Sequence, residues 1–131
     1  MGESAGSWSL SVPGVPASVA VTRRTLRSWL TKSGIACGLI DDVVLCASEA
    51  VTNAIQHGYR GAEGTVLVSV HLADEGVVLT VVDEGDWLPT QDGIGVSHGW
   101  GLPLIEAICR TVDLTRTLGK TVLTARLGMA T

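Results

Sequence analysis

Glu49, Asn53 and His57 recur at intervals of four within Ser48-Glu49-Ala50-Val51-Thr52-Asn53-Ala54-Ile55-Gln56-His57. Side chains at i and i+4 are neighbours on a helix surface, so a helix here carries a carboxylate, a carboxamide and an imidazole on one stripe. Its other side is apolar: Ile40, Val43, Val44, Ala47, Val51, Ala54 and Ile55. Asparagine is a poor helix former, because its amide competes for nearby backbone groups. A chemical role would account for it. A hard cation such as magnesium prefers oxygen ligands, and the carboxamide has one to offer. On this stripe alone, a solvated helix face is the favoured reading.

A second set of residues tips the balance. Asp83-Glu84-Gly85 follows directly on an apolar strand, which places Asp83 at the strand's end. A carboxylate there can accept a hydrogen bond from an exocyclic amine, and Gly85 lets a flat ring approach the backbone. Gly99-Trp100-Gly101-Leu102 then opens a helix whose first amides and positive dipole end favour phosphate. An Asp-x-Gly is often only a turn, and a Gly-x-Gly before a helix is often only structural. In this order, after the Glu/Asn helix, they make one nucleotide site. The carboxylate reads the base, the glycine amides hold the phosphates, and the asparagine holds the metal.

The elements that must position these residues follow from periodicity and punctuation. The first seven residues are small and polar and are expected to fray. Residues 8–12 alternate as a strand, ended by Pro13-Gly14. A helix is expected from Pro16 to about residue 32, burying Val19, Leu26, Trp29 and Leu30 and stopping at Gly34. The stripe-bearing helix begins near Leu39, with Asp41 and Asp42 at its positive end, and closes at His57-Gly58. Residues 65–72 and 77–82 read as paired strands. A short helix from Leu102 to about residue 109 and two strands, 112–117 and 121–127, complete the chain. One domain over residues 8–131 is expected. Its fold class is α+β, a two-layer α/β sandwich with a mixed, mostly antiparallel sheet and helices on one face.

Composition excludes several alternatives. The 131 residues suffice for a single core. The net charge of −4 argues against direct nucleic-acid binding, which calls for a basic stripe. No apolar run is long enough to span a membrane, and the first residues lack a signal-peptide pattern, so a cytoplasmic location is expected. Cys37, Cys46 and Cys109 are odd in number and share no CxxC spacing, which speaks against zinc or a disulfide framework and for free thiols. Cys46 lies on the same side of its helix as Glu49. The hydrophobic share of 46% and mean hydropathy of +0.37 suggest apolar surface covered by a partner or a second copy.

The chain resembles the GHKL (histidine-kinase-like) ATPases, which have the Bergerat ATP-binding fold, and within them the RsbW-like anti-sigma-factor serine/threonine-protein kinases. The resemblance runs from about residue 10 to 127. It rests on the N box Glu49-Ala50-Val51-Thr52-Asn53-Ala54-Ile55-Gln56-His57, the G1 box Asp83-Glu84-Gly85 and the G2 box Gly99-Trp100-Gly101-Leu102-Pro103-Leu104-Ile105. It implies that Asn53 coordinates Mg²⁺ on ATP and that Glu49 is the catalytic base for a substrate serine. Asp83 would bind the adenine amine, with Gly85 along the ring. Gly99, Gly101 and Leu102 would give amides to the phosphates, below a lid of roughly residues 86–98. His57 would sit near the phosphates or end the helix, and Thr121 would support the adenine site. The implied partners are a sigma factor, an anti-anti-sigma (STAS-domain) protein and a second copy of the chain in a homodimer.

Three departures from the family pattern bear on activity. Trp87 stands where the G1 box often has a second glycine, and Trp100 stands where the G2 box often has a basic residue. The lid from Asp86 to His98 contains no arginine or lysine. These features support an alternative reading, a regulatory binding module with a weak or vestigial ATP pocket. A split histidine kinase is a third, opposed by the Glu-Ala-Val-Thr-Asn run.

Overall fold

The computed structural model describes residues 2–4, 6–74, 76–87 and 102–128. In chain order the elements are β1 (Gly2–Ser4), β2 (Ser7–Pro13), α1 (Ala17–Lys32), α2 (Cys37–Asn53), β3 (Thr65–Ala73), β4 (Gly76–Asp83), α3 (Leu102–Ile108), β5 (Thr111–Thr117) and β6 (Lys120–Leu127). A π-helical turn, Ala54–Tyr59, continues α2 without a break. The strands form one sheet in the order β1-β2-β3-β4-β6-β5, and every described pairing is antiparallel.

Two-residue alternation divides the sheet into an inner and an outer face. Trp8 and Val12, Val66, Val68 and Val70, Val77, Leu79 and Val81, and Leu123, Ala125 and Leu127 are all buried. The intervening positions, among them Ser69 and Thr80, are half-buried, and Leu67 is exposed. All three helices pack on the inner face: α1 against α2 and β2, α2 against β3, β4 and β6, and α3 against α2 and β5. The core therefore lies between one helical layer and one sheet, the expected two-layer sandwich. Leu26, Trp29 and Leu30 of α1 are buried as expected, and Val19 packs at the core's edge. Ser18 and Thr22 join them inside, satisfied by Pro13 O (2.6 Å) and Ser18 O (2.8 Å).

Three details differ from the sequence expectations. Residues 2–4, expected to fray with the rest of the first seven, pair with β2, Glu3 opposite Trp8. Backbone pairing of an edge strand needs no apolar side chains, so composition could not reveal it. Second, α2 starts at Cys37, which moves Asp41 and Asp42 out of the first turn, and Asp41 instead meets Arg27 of α1 at 2.9 Å. Third, the helical path runs past Gly58 to Tyr59 and ends where Arg60 adopts φ 52°, ψ 42°. Its N–H donates to Ile55 O at 2.9 Å, a π-type bond. Gly58 is thus inside the helical path, where it serves close packing.

Candidate nucleotide site

The end of the candidate site where the sequence expects the base is set by strand register. Asp83 ends β4 on the inner face and lies opposite Thr121 of β6, and Thr121 lies opposite Arg116 of β5. Three side chains from three strands thus stand in one row. Asp83 and Thr121 are each 3% exposed, and the Arg116 guanidinium donates to the Thr121 hydroxyl. Asp83 Oδ1 accepts the Gly85 N–H at 2.9 Å and the Trp87 indole N–H at 2.9 Å, while Oδ2 lies 3.0 Å from the same indole nitrogen. Burial raises the Asp83 carboxyl above its ordinary value, against the lowering pull of Gly85, Trp87 and the Arg116 charge. The carboxylate expected to read an adenine amine is therefore engaged by an indole N–H of the same polarity.

The helix end is clamped onto this row. A Cβ at Gly85 would fall 2.3 Å from the Gly58 carbonyl carbon, and one at Gly58 would fall 3.0 Å from Asp83 Oδ1 and 2.8 Å from the Trp87 indole nitrogen. Only two glycines allow the π turn and the end of β4 to touch. Gly85 thus faces the Gly58 backbone. The contact is held by Asp86 N–H to Gly58 O at 2.8 Å. The Tyr59 hydroxyl adds three bonds: it donates to Thr65 O at 2.5 Å and accepts from Thr65 N–H at 3.2 Å and Glu84 N–H at 3.0 Å. The His57 ring lies 6.2 Å from that of Trp87.

One turn earlier Asn53 is 5% exposed, and its Nδ2 has no hydrogen-bond partner among the described residues. A further turn back, Glu49 is half-buried. The stripe is therefore not a solvated face: its middle member is inside the protein with an uncompensated amide. Leu102, 1% exposed, begins α3, which packs against α2. Gly99, Gly101, Trp100 and the lid beyond Trp87 lie outside the described residues.

These residues fit a magnesium nucleotide better than a protein-held metal. Among the described residues no group of three or more His, Cys, Asp or Glu side chains could hold an ion. Magnesium needs no such cage when substrate phosphates supply most of its oxygens. A single carboxamide oxygen, that of Asn53, is then a sufficient protein contribution, and the Nδ2 donor beside it, without a partner among the described residues, suits a phosphate oxygen. A hollow of about 1120 Å³, lined by Pro13, Ile55, Arg60 and Thr65 among others, lies beside the π turn. None of Glu49, Asn53, His57, Asp83, Gly85, Leu102 or Thr121 lines it. The hollow thus lies apart from the residues that carry the chemistry of the candidate site.

The sequence pattern of the family described as "Histidine kinase-like ATPase domain" matches residues 12–127. The chain belongs to this family. Among its relatives, the serine-protein kinase RsbW of Bacillus subtilis is 32% identical over 128 residues, covering 86% of this chain and 80% of that protein. RsbW of Bacillus pumilus is 28% identical over 139 aligned residues, covering 93% and 86%. A crystal structure of the RsbU and RsbW domains of a Mycobacterium tuberculosis protein superposes with a TM-score of 0.74 at 27% identity. It covers 92% of this chain, which spans 32% of that larger one. The chain is thus an RsbW-type member of an ATP-using family.

Two residues of the site escaped the sequence reading. Tyr59 was visible in His57-Gly58-Tyr59, but nothing local said that its hydroxyl would meet Thr65 and Glu84. Arg116 reaches Thr121 only through the β5–β6 register. In the sequence Trp87 is a departure from the G1 pattern, whereas its hydrogen bond to Asp83 is evident only in the fold.

Proposed function

We propose that this RsbW-type protein is an ATP-dependent protein-serine kinase and anti-sigma factor. It binds a sigma factor and phosphorylates a serine of a STAS-domain antagonist, with Mg-ATP as phosphoryl donor, in the cytoplasm and as a homodimer. The observation that carries the reading is the buried Asn53, whose Nδ2 donor has no partner among the described residues and suits a phosphate oxygen, one turn from the half-buried Glu49 on a helix clamped through Gly58 to Asp83. Asn53 would hold magnesium through its carboxamide oxygen, and the ion, when bound, neutralises phosphate charge. Asp83 and Thr121 receive the adenine, with Trp87 swung off the carboxylate. Gly99, Gly101 and Leu102 present amides to the phosphates, and His57 borders them. Glu49 takes the proton from the substrate hydroxyl as its oxygen attacks the γ-phosphorus and the bond to ADP breaks.

The test is label transfer from γ-labelled ATP to a purified STAS-domain antagonist, with and without Mg²⁺. Wild type should yield an acid-stable phosphoserine. Glu49→Ala should bind ATP as before but lose roughly 100-fold or more in transfer. Equal rates for both proteins would dismiss Glu49 as the base. ATP binding without any transfer by wild type would leave a regulatory binding module instead.

A further inference from the structure

The third chemistry on α2 is a thiol. Cys46 sits three residues before Glu49 and is fully buried. Cys109 follows α3 immediately, its N–H bonded to Ile105 O at 3.0 Å, just before Arg110 N–H pairs with Arg126 O at 2.7 Å. The two sulfurs, 63 positions apart in sequence, are 3.3 Å apart in space. Cys109 is half-buried, so a small solute can reach it, whereas Cys46 lies behind it in the core. Their mutual hydrogen bond pushes the Cys46 thiol up, with burial adding to the effect. The same bond pulls the Cys109 thiol below its ordinary value, against burial. The outer sulfur is therefore both the one that a solute meets and the one that ionises more readily than its partner.

We propose that Cys46 and Cys109 are a modification site, forming a reversible disulfide when the protein meets a hydroperoxide. The Cys109 thiolate attacks the peroxide: an S–O bond forms, the O–O bond breaks, and the departing hydroxide takes up a proton and leaves as water. The Cys46 sulfur then attacks the Cys109 sulfenic acid. An S–S bond forms, the S–O bond breaks, and the hydroxide leaves with the Cys46 proton as a second water. Two thiols have lost two electrons and two protons, and one hydrogen peroxide has become two waters. To reach a bond of ~2.05 Å the sulfurs must close by about 1.2 Å. Cys109 lies one residue past the end of a seven-residue helix, and rotation of its side chain can supply part of that movement.

The bond would tie α2 to the joint between α3 and β5. The next two turns of α2 carry Glu49 and Asn53, and α3 starts at Leu102, so the tie fixes two elements that border the nucleotide site. The proposal does not rest on kinase activity, because its product is read directly as a covalent link. Cys37 is exposed at the start of α2 and provides an internal control.

Reduced protein is treated with hydrogen peroxide, its remaining thiols are alkylated, and its peptides are mapped by mass spectrometry. The expected product is a monomer with a Cys46–Cys109 cross-linked peptide and an alkylated Cys37, reversed by dithiothreitol. Its thermal unfolding midpoint should exceed that of the reduced protein. Cys37→Ser should behave like wild type, and Cys109→Ser should lose both the cross-link and the rise in midpoint. If Cys109→Ser does not fold, the wild-type peptide map still decides. A Cys37-linked dimer as the main product, Cys109 accumulating as sulfinic acid beside a free Cys46, or three unreacted thiols would each overturn the proposal.

Discussion

Replacing Tyr59 by phenylalanine isolates the joint that holds the site together. The ring is 7% exposed and lies in a slot where a Cβ at Gly64 would fall 2.0 Å from its Cε1. Phenylalanine keeps that packing and loses only the hydroxyl. Three hydrogen bonds vanish, two of them from the backbone N–H groups of Thr65 and Glu84. A net value near ~1 kcal/mol per bond gives about 3 kcal/mol. Thr65 and Glu84 are exposed, so water recovers part of this, and about 2 kcal/mol remains. At ~2.1 cal/mol/K per residue the unfolding entropy is about 0.28 kcal/mol/K, so the melting temperature should fall by roughly 7 °C. Urea unfolding should show a midpoint lower by about 1 M at unchanged slope. Because the same hydroxyl anchors Glu84 beside Asp83, ATP affinity should fall as well, beyond what unfolding explains. A loss below ~0.5 kcal/mol with normal ATP binding would refute the claim that this hydroxyl joins the π turn to β4.

Other perturbations test neighbouring parts of the argument. Trp87→Phe removes the indole N–H that competes for Asp83, and a charge-assisted bond of about 1.5–3 kcal/mol predicts roughly tenfold or more tighter ATP binding by calorimetry. Unchanged or weaker binding would mean that the indole and adenine do not compete. Asn53→Ala should unfold at the same or slightly higher denaturant concentration, since its Nδ2 has no partner among the described residues, while Mg²⁺-dependent ATP binding disappears. Gly85→Ala drives a methyl into the Gly58 backbone and should cost about 3 kcal/mol, measured by chemical unfolding; a tolerated alanine would contradict the clamp. Asp83→Asn keeps Oδ1 as acceptor for Gly85 and Trp87 but loses the second, Oδ2 contact to the indole, a loss that does not depend on pH. Burial holds the wild-type carboxyl above 3.8, so the folded state binds this proton more tightly than the unfolded one. Wild-type stability is then fullest below the unfolded value and falls as pH rises through the folded one. The Asn variant should gain on wild type as pH rises above about 4, and a variant that instead loses ground to wild type with rising pH would reverse the assignment.

Much of the architecture was legible because it repeats locally. The alternation in β3, β4 and β6 and the apolar side of α2 located their elements to within a residue or two. The boundaries that moved were those with no side-chain signal. β1 exists through backbone pairing to β2, and α2 gains a π turn because Gly58 must approach Asp83 and Gly85. Gly58 read as a helix stop because glycine at a helix end usually is one. Its actual reason, a backbone passing within contact of another strand, lies some 25 residues away along the chain.

Residue types and short-range spacing sufficed for the family and the fold class, and they singled out Glu49, Asn53 and Asp83 as the groups proposed to carry chemistry, with Thr121 added by the family resemblance. Those properties are written within single elements, where a period of two or of 3.6 decides which side chains share a face. The state of those groups was decided only when the elements met. Register set Arg116, Thr121 and Asp83 in one row. Packing against the sheet buried the Asn53 Nδ2 without a partner among the described residues, brought the Trp87 indole onto the Asp83 carboxylate, and put Cys46 against Cys109. Burial, pairing and charge environment are properties of contacts between distant segments, and no window along the chain contains both sides of such a contact.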